Sequence, residues 1–159
     1  MDEPKAYAYA LRLLARMDYP SGKLAEKMKA RGASNATIDS TLGKLEKLGY
    51  VNDEDYIRRF AEEKSRQGYG RRWIEASLRK KLLSVELIRQ ALGDAGNEEE
   101  ETAALKALGS LGKSRWRLKK NEEPRKRAGR LFAFLVRRGF GAAAAQAAVR
   151  QVLQVDPEE

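Results

Sequence analysis

The sequence repeats itself at an offset of 50 residues, and this repetition narrows the folds that the chain can adopt. Tyr19 recurs as Tyr69, and Ser34 recurs in the same register as Ser84. The apolar residues Leu24, Met28, Ile38 and Leu42 recur as Ile74, Leu78, Ile88 and Leu92. An offset of 107 carries Leu24, Met28, Arg31, Gly32 and Leu42 onto Leu131, Leu135, Arg138, Gly139 and Val149. Such internal similarity indicates an array of small, related modules.

Within each repeat, apolar residues recur every three or four positions, which is the period of a helix. Ser34 or Asn35 is suited to cap one helix, and Asn52 or Asp53 another. We therefore predict an all-α protein of three tandem three-helix repeats, each helix-turn-helix-like, stacked into an elongated, curved rod. The predicted repeats span residues 5–49, 50–96 and 97–153, with 154–159 as a frayed tail. Residues 109–127 fit the repeat least well and leave the helix boundaries there open.

Composition excludes several kinds of site. The chain has no cysteine and no histidine, which removes thiolate chemistry and the commonest general base and metal ligand. It carries 32 Lys plus Arg against 23 Asp plus Glu, a net charge of +9, which favours an acidic partner. The N-terminus lacks the layout of a signal peptide, and no apolar run is long enough to span a membrane. We expect a cytoplasmic protein without a cofactor, a metal or a membrane partner.

Two motifs resemble catalytic or metal sites. The segment Gly112-Lys113-Ser114 matches the end of a phosphate-binding loop, but Ala107 replaces the first glycine and no strand precedes it. A helix break is the simpler interpretation. The acidic runs Asp53–Asp55 and Glu98–Glu101 stand at predicted helix starts, where carboxylates complement the helix dipole. We interpret both as capping residues and expect no enzymatic activity.

Basic residues are the stronger signal for function. In the second repeat they surround Tyr69 and Trp73: Arg58, Arg59, Lys64, Arg66, Arg71, Arg72, Arg79, Lys80 and Lys81. In the third they surround Trp116: Lys113, Arg115, Arg117, Lys119, Lys120, Arg125, Lys126, Arg127, Arg130, Arg137 and Arg138. These residues suit contact with phosphates or an acidic protein, the alternative being solvated helix faces. Both tryptophans fit either core packing or exposed base stacking.

The centre of the chain carries an ordered set of motifs. A turn, Gly49-Tyr50-Val51-Asn52-Asp53, precedes a helix that contains Phe60. A glycine turn at Gly68 and Gly70 then leads into the basic helix 71–81. This order resembles the RecX family of bacterial recombination regulators, and the resemblance extends over about residues 5–153. The sequence departs from the family where Leu82-Leu83 follows Lys81 instead of glycine, and where alanines fill the last helix.

The resemblance implies a function in homologous recombination and DNA repair. RecX proteins bind the RecA recombinase in the groove of its filament on single-stranded DNA and limit ATP hydrolysis, strand exchange and filament growth. By this resemblance the chain is a non-enzymatic, mainly inhibitory modulator of RecA. The expected partners are the RecA filament and single-stranded DNA, with non-specific duplex DNA as a further ligand, and the expected state is a monomer.

A stand-alone DNA-binding protein of helix-turn-helix type is the alternative. Such a protein presents Arg, Asn or Gln to base edges and dimerises to read two half-sites. The basic helix 71–81 offers Arg and Lys but neither Asn nor Gln, which favours backbone contact over base reading. A strong preference for one duplex sequence in the absence of recombinase would support this alternative.

Overall fold

The computed structural model describes residues 1–94, 96–111 and 122–155, and these residues form helices joined by short turns. The helices are α1 (Glu3–Leu14), α2 (Ser21–Ala30), α3 (Asn35–Lys47), α4 (Asp53–Arg66), α5 (Arg71–Lys80), α6 (Val85–Leu92), α7 (Asn97–Ser110), α8 (Pro124–Arg137) and α9 (Ala142–Val155). The described part of the chain contains no β-strand. The predicted all-α fold is therefore confirmed.

The first repeat, α1 to α3, packs around a core of fully buried side chains. Ala6 and Ala10 of α1 meet Leu24 and Met28 of α2 and Leu45 of α3. Alanine on α1 lets the larger side chains of the other two helices approach its backbone closely. The repeat is held by one contiguous apolar cluster.

The turn between α2 and α3 contains a serine cap that the second repeat shares. Gly32 ends α2 with φ +82°, a left-handed conformation that glycine adopts without steric cost. Ser34 then caps α3, because its hydroxyl accepts the backbone N–H of Thr37 at 3.1 Å. The second repeat makes the same cap, where the N–H of Leu87 donates to Ser84 at 3.1 Å. Of the two residues suited to cap α3, Ser34 rather than Asn35 does so, and Ser84 has the same function in the second repeat.

The third repeat, α7 to α9, has its own core. Leu108 of α7 and Leu135 of α8 are fully buried, and Phe140 lies between α8 and α9 with 2% of its surface exposed. The alanine-rich α9 contributes Ala145 and Ala148, which are also fully buried. Small side chains on this face let α9 lie close to α7 and α8.

The chain divides into two compact units whose boundaries cross the second repeat. One unit comprises residues 1–59 and 77–92, and the other comprises residues 60–76 together with the chain from Gly93 onward. Helices α4 and α5 each contribute residues to both units. Each unit consequently contains one junction between neighbouring repeats, and the predicted repeat boundaries stay predictions.

The first junction, within the first unit, joins the start of α2 to residues of the second repeat. A Cβ atom added to Gly22 would lie 2.9 Å from the Cβ atom and from the carbonyl oxygen of Leu82. Asp53 accepts the backbone N–H of Ser21 at 2.7 Å and also the Ser21 hydroxyl. Asn52, rather than Asp53, caps α4, with its Oδ1 3.0 Å from the backbone nitrogen of Asp55. The carboxylate of Asp53 is thereby available to cap a helix of the neighbouring repeat.

The second junction, within the second unit, is a contact between two glycines. The N–H of Gly70 donates to the carbonyl of Arg138 at 2.7 Å, and the N–H of Arg72 donates to that of Gly139 at 3.1 Å. A Cβ atom added to Gly70 would lie 2.5 Å from the carbonyl carbon of Gly139. Gly139 itself has φ +92°. Any larger residue at either glycine would separate these two segments.

Candidate nucleic-acid and protein interface

The second junction holds a pair of stacked aromatic rings with an arginine over one of them. The rings of Tyr69 and Trp73 stack with centroids 3.9 Å apart and planes inclined by 21°. The guanidinium carbon of Arg138 lies 4.4 Å from the Tyr69 centroid and 5.3 Å from that of Phe134. Arg138 also donates to the carbonyl of Gln67 at 3.3 Å. Arg138 is therefore held in place, with its charge at the edge of an aromatic stack.

The stack distinguishes, for Trp73, between packing inside the protein and exposure for base stacking. Trp73 is half-buried, and its ring packs on Tyr69 in the core of the junction. At least one face of the Trp73 ring is therefore used for packing within the protein and is not free to stack on a base. Trp116 lies outside the described residues.

Within the described part of the chain, six of the predicted binding cations are seen in ion pairs with carboxylates. The pairs are Arg58 with Glu54, Arg59 with Asp55 (3.0 Å) and Asp18 (2.7 Å), Lys64 with Glu63 (3.5 Å), Arg66 with Glu62 (3.9 Å), Arg71 with Glu75 (2.5 Å) and Arg130 with Glu122 (2.8 Å). The exposed pairs among them, those of Arg58, Arg59 and Arg66, stabilise the fold only slightly, by about 0–1 kcal/mol each, whereas the pairs of Arg71 and Arg130 are partly buried. Their larger effect is electrostatic, because each carboxylate offsets a positive charge that would otherwise be available to bind a phosphate.

Six other predicted cations are exposed and have no ion-pair partner within the described ranges. They are Arg72, Arg79, Lys80, Arg125, Lys126 and Arg137. We call these residues the unpaired cations. Arg79 and Lys80 belong to the first unit and the other four to the second. Lys81 is half-buried at the end of the same basic helix as Arg79.

Arg127 differs from the cations around it because it is buried, with 6% of its surface exposed. It precedes Leu131 by four residues and Leu135 by eight, so all three lie on the inward face of α8. The neighbouring Arg125 and Lys126 lie on the solvent side. Arg127 is therefore not part of an exposed binding surface. Five further predicted cations, Lys113, Arg115, Arg117, Lys119 and Lys120, lie outside the described residues and stay predictions.

Carboxylates at helix starts have a second function that the sequence did not reveal. Glu100, in the first turn of α7, accepts the backbone N–H of Gly141 at 2.7 Å and so caps α9. Gly141 occupies the repeat position of Ser34 and Ser84 but has no hydroxyl to offer. A serine there would accept the N–H three residues on, as Ser34 does, so its absence does not indicate the bond that Glu100 accepts from Gly141.

The described residues contain no group of three or more acidic, histidine or cysteine side chains arranged to hold a metal ion. Among the helices they form, none is both long and apolar enough to cross a membrane.

Two protein-family models match the chain in consecutive segments. The model of the RecX first three-helix domain matches residues 6–45, and that of the RecX second three-helix domain matches residues 52–92. The chain belongs to the RecX family. The resemblance inferred from the sequence is thereby confirmed.

Individual RecX proteins show the same relationship. The chain is 31% identical over 153 residues to the regulatory protein RecX of Deinococcus radiodurans, covering 96% of this chain and 70% of the relative. It is 40% identical over 95 residues to the regulatory protein RecX of Thermus thermophilus, covering 60% of this chain and 66% of the relative. The crystal structure of RecX from Lactobacillus salivarius superimposes with a TM-score of 0.82 over 98% of both chains at 18% identity, which supports the repeat fold.

The family motif residues can now be placed. Gly49 (φ +75°) and Gly68 (φ +85°) follow α3 and α4 in the left-handed conformation, and Gly70 forms the second junction. Tyr50 is exposed, although its backbone N–H donates to the carbonyl of Leu45 at 2.9 Å. Phe60 is half-buried, with Lys64 5.7 Å from its ring centroid. Among the RecX motif residues, the glycines and Asp53 shape the scaffold, whereas Tyr50 presents a side chain to solvent.

Proposed function

We propose that this RecX-family chain regulates RecA by binding in the groove of the RecA filament on single-stranded DNA. Binding there limits ATP hydrolysis, strand exchange and filament growth. The observation that carries the proposal is the match to both RecX three-helix domains, in order, along the chain. The proposed setting is the bacterial cytoplasm, where recombinase filaments form.

The distribution of charge supports this function. The six unpaired cations occur in both units, so that each unit has charge available for phosphates or for acidic residues of the recombinase. Guanidinium groups bind both partners well, because their planar donors match the geometry of phosphate and of carboxylate. Contacts on more than one RecA subunit would let a chain of repeats restrict the changes in subunit geometry that accompany ATP hydrolysis.

The proposed function involves no chemistry by the chain itself. Neither histidine nor cysteine occurs in the sequence, and the acidic runs at the starts of α4 and α7 contain residues engaged in helix caps and ion pairs. We therefore propose a non-enzymatic regulator that acts by occupying a surface.

The experiment is a titration of the purified chain into RecA assembled on single-stranded DNA, with ATP hydrolysis and strand exchange measured in parallel. We expect both rates to fall as the chain approaches saturation of the filament. Unchanged rates at saturation would refute the proposal. A strong preference for one selected duplex sequence, measured without RecA, would instead support a stand-alone DNA-reading protein.

A further inference from the structure

The first repeat carries an aromatic and basic surface outside the residues that the sequence motifs indicate. Arg31 places its guanidinium carbon 5.0 Å from the ring centroid of Tyr9, and Lys27 places its ammonium nitrogen 5.4 Å from that of Tyr19. Lys27 and Arg31 are four residues apart, so they lie on one face of α2. Two cations are thus held side by side over two tyrosine rings.

These contacts fix how α1 and the turn that follows it lie along α2. Tyr9 contacts Arg31, and Tyr19 contacts Lys27. The segment from Tyr9 to Tyr19 therefore runs antiparallel to α2. Arg12 and Arg16 lie between Tyr9 and Tyr19 in sequence, and both are exposed. Arg12 is one helical turn beyond Tyr9 on the same side of α1. We call Arg12, Arg16, Lys27 and Arg31 the first-repeat basic surface.

The charges of this surface are not cancelled. None of its four cations forms an ion pair with a described residue. The two nearby carboxylates have partners of their own. Asp18 pairs with Arg59 at 2.7 Å, and Glu26 pairs with Lys23 at 2.8 Å. The pKa of Glu26 is lowered chiefly by its hydrogen bond from Lys23, with a smaller coulombic contribution from Lys27.

Nucleic acid fits this surface better than an acidic protein face does. Three of the four cations are arginines, whose planar donors bind phosphate oxygens in pairs. The tyrosine rings hold Lys27 and Arg31 in position, which reduces the side-chain entropy that binding would remove. A protein partner would instead obtain most of its affinity from a desolvated apolar anchor at the centre of the contact. All four named side chains of this surface are cations.

We infer that the first-repeat basic surface binds the sugar–phosphate backbone of single-stranded nucleic acid through Arg12, Arg16, Lys27 and Arg31, with Tyr9 and Tyr19 positioning two of these cations. Such binding is independent of base sequence, because phosphates carry no sequence information. It extends the proposed function without depending on it, since the surface requires no recombinase.

The test is fluorescence anisotropy of labelled oligothymidylate with the full chain, without RecA, over a series of salt concentrations. The variant Arg12→Glu/Arg16→Glu removes the two cations that make no packing contact with a ring. We expect affinity at low salt to fall by about tenfold or more. The slope of log K against log salt should decrease by about 1.4, because each phosphate that a cation neutralises on a single strand accounts for roughly 0.7.

The matched control is Lys29→Glu/Lys47→Glu, which changes the net charge by the same amount. Lys29 lies on the side of α2 opposite Lys27, and Lys47 borders a cavity beside Tyr7, on the other side of α1 from Tyr9. We expect this control to keep most of the affinity and the slope. Equal losses in both variants, or no loss in the first, would overturn the assignment. Circular dichroism shows whether each variant is folded.

The same variants separate this proposal from the proposed function. If Arg12→Glu/Arg16→Glu abolished inhibition of RecA while binding oligothymidylate normally, the surface would contact protein and the inference would be wrong. If the unaltered chain failed to inhibit RecA but DNA affinity fell in this variant alone, the regulatory function would fail and the DNA-binding surface would stand.

Discussion

The two junctions between repeats occupy equivalent places in the fold but are built differently. In the second junction Gly70 and Gly139 bring two backbones together, joined by two backbone hydrogen bonds. At the matching positions the first junction has Pro20 and Leu82. Proline has no N–H, so the hydrogen bond that Gly70 donates has no counterpart there. The side chain of Asp53 supplies a substitute by bonding to Ser21.

This difference shows which parts of a repeated architecture can vary. A junction of close backbones depends on the absence of side chains at two positions. The first junction also has a close glycine, Gly22, but it adds the hydrogen bonds of one carboxylate and tolerates Leu82 in a left-handed conformation with φ +64°. Added volume should therefore disturb both junctions, and the second more, because the added Cβ atom lies 2.5 Å from backbone at Gly70 against 2.9 Å at Gly22. Removal of a side-chain hydrogen bond should affect the first junction.

The largest expected effect is that of Gly70→Ala. The new Cβ atom would lie 2.5 Å from the backbone of Gly139, and backbone cannot yield as a flexible side chain does. We expect the free energy of unfolding to fall by about 3 kcal/mol, measured by chemical denaturation. Hydrogen exchange should localise the damage to residues 134–141.

Gly43→Ala is the control for Gly70→Ala. Gly43 lies within α3, and no heavy atom stands within 4 Å of where its Cβ atom would be. Alanine there should stabilise the chain by about 0.5–1 kcal/mol through its higher helix propensity. If the two alanines had similar effects, the close glycine contact would not be a property of the folded chain.

Asp53→Ala tests the first junction. It removes the acceptor of two hydrogen bonds from Ser21 and leaves the start of α2 uncapped. We expect a loss of about 1–2 kcal/mol in the free energy of unfolding. The comparison is Asp55→Ala, which removes a carboxylate from the same helix start together with its exposed ion pair with Arg59, and should cost less than about 1 kcal/mol. Equal losses would show that Asp53 contributes only to the charge of its own helix start.

Leu82→Gly has the smallest predicted effect and the opposite sign. Glycine removes the steric strain of a leucine in the left-handed conformation, which is about 1–2 kcal/mol. Losing the buried half of the leucine side chain costs about 1 kcal/mol. The expected net gain in unfolding free energy is about 0.5 kcal/mol. Leu48→Gly removes a leucine of similar exposure (63% against 52%) from a right-handed position and should be destabilising. A destabilising Leu82→Gly would contradict the idea that this turn prefers glycine.

Local features of the fold could be predicted from the sequence. The cap at Ser34 and the turn at Gly49 depend on residues within one helical turn, so the local sequence indicated them correctly. The contact between Gly70 and Gly139 could not be predicted, because it joins segments far apart in the chain. The same applies to the bonds from Asp53 and Glu100 to helices of other segments.

The candidate site shows a similar limit. Sequence locates basic residues but not their partners, and Arg59 pairs with Asp18 of a different repeat. The burial of Arg127 could have been inferred from its spacing to Leu131 and Leu135, although its charge suggested exposure. The surface on the first repeat was missed because its cations are dispersed in sequence, and the contacts of Lys27 and Arg31 with tyrosine rings form only when α1 and its following turn pack against α2.

The most direct test of the account compares unpaired with paired cations in the inhibition of RecA. Arg79→Gln/Lys80→Gln removes two unpaired cations, and Arg58→Gln/Arg66→Gln removes two that already have carboxylate partners. The net charge changes equally in both variants. With ATP hydrolysis by RecA on single-stranded DNA as the readout, we predict that the first variant needs about tenfold more protein for half-inhibition. The second should inhibit nearly as well as the unaltered chain. Equal inhibition by both variants, or no inhibition by the unaltered chain, would contradict the account.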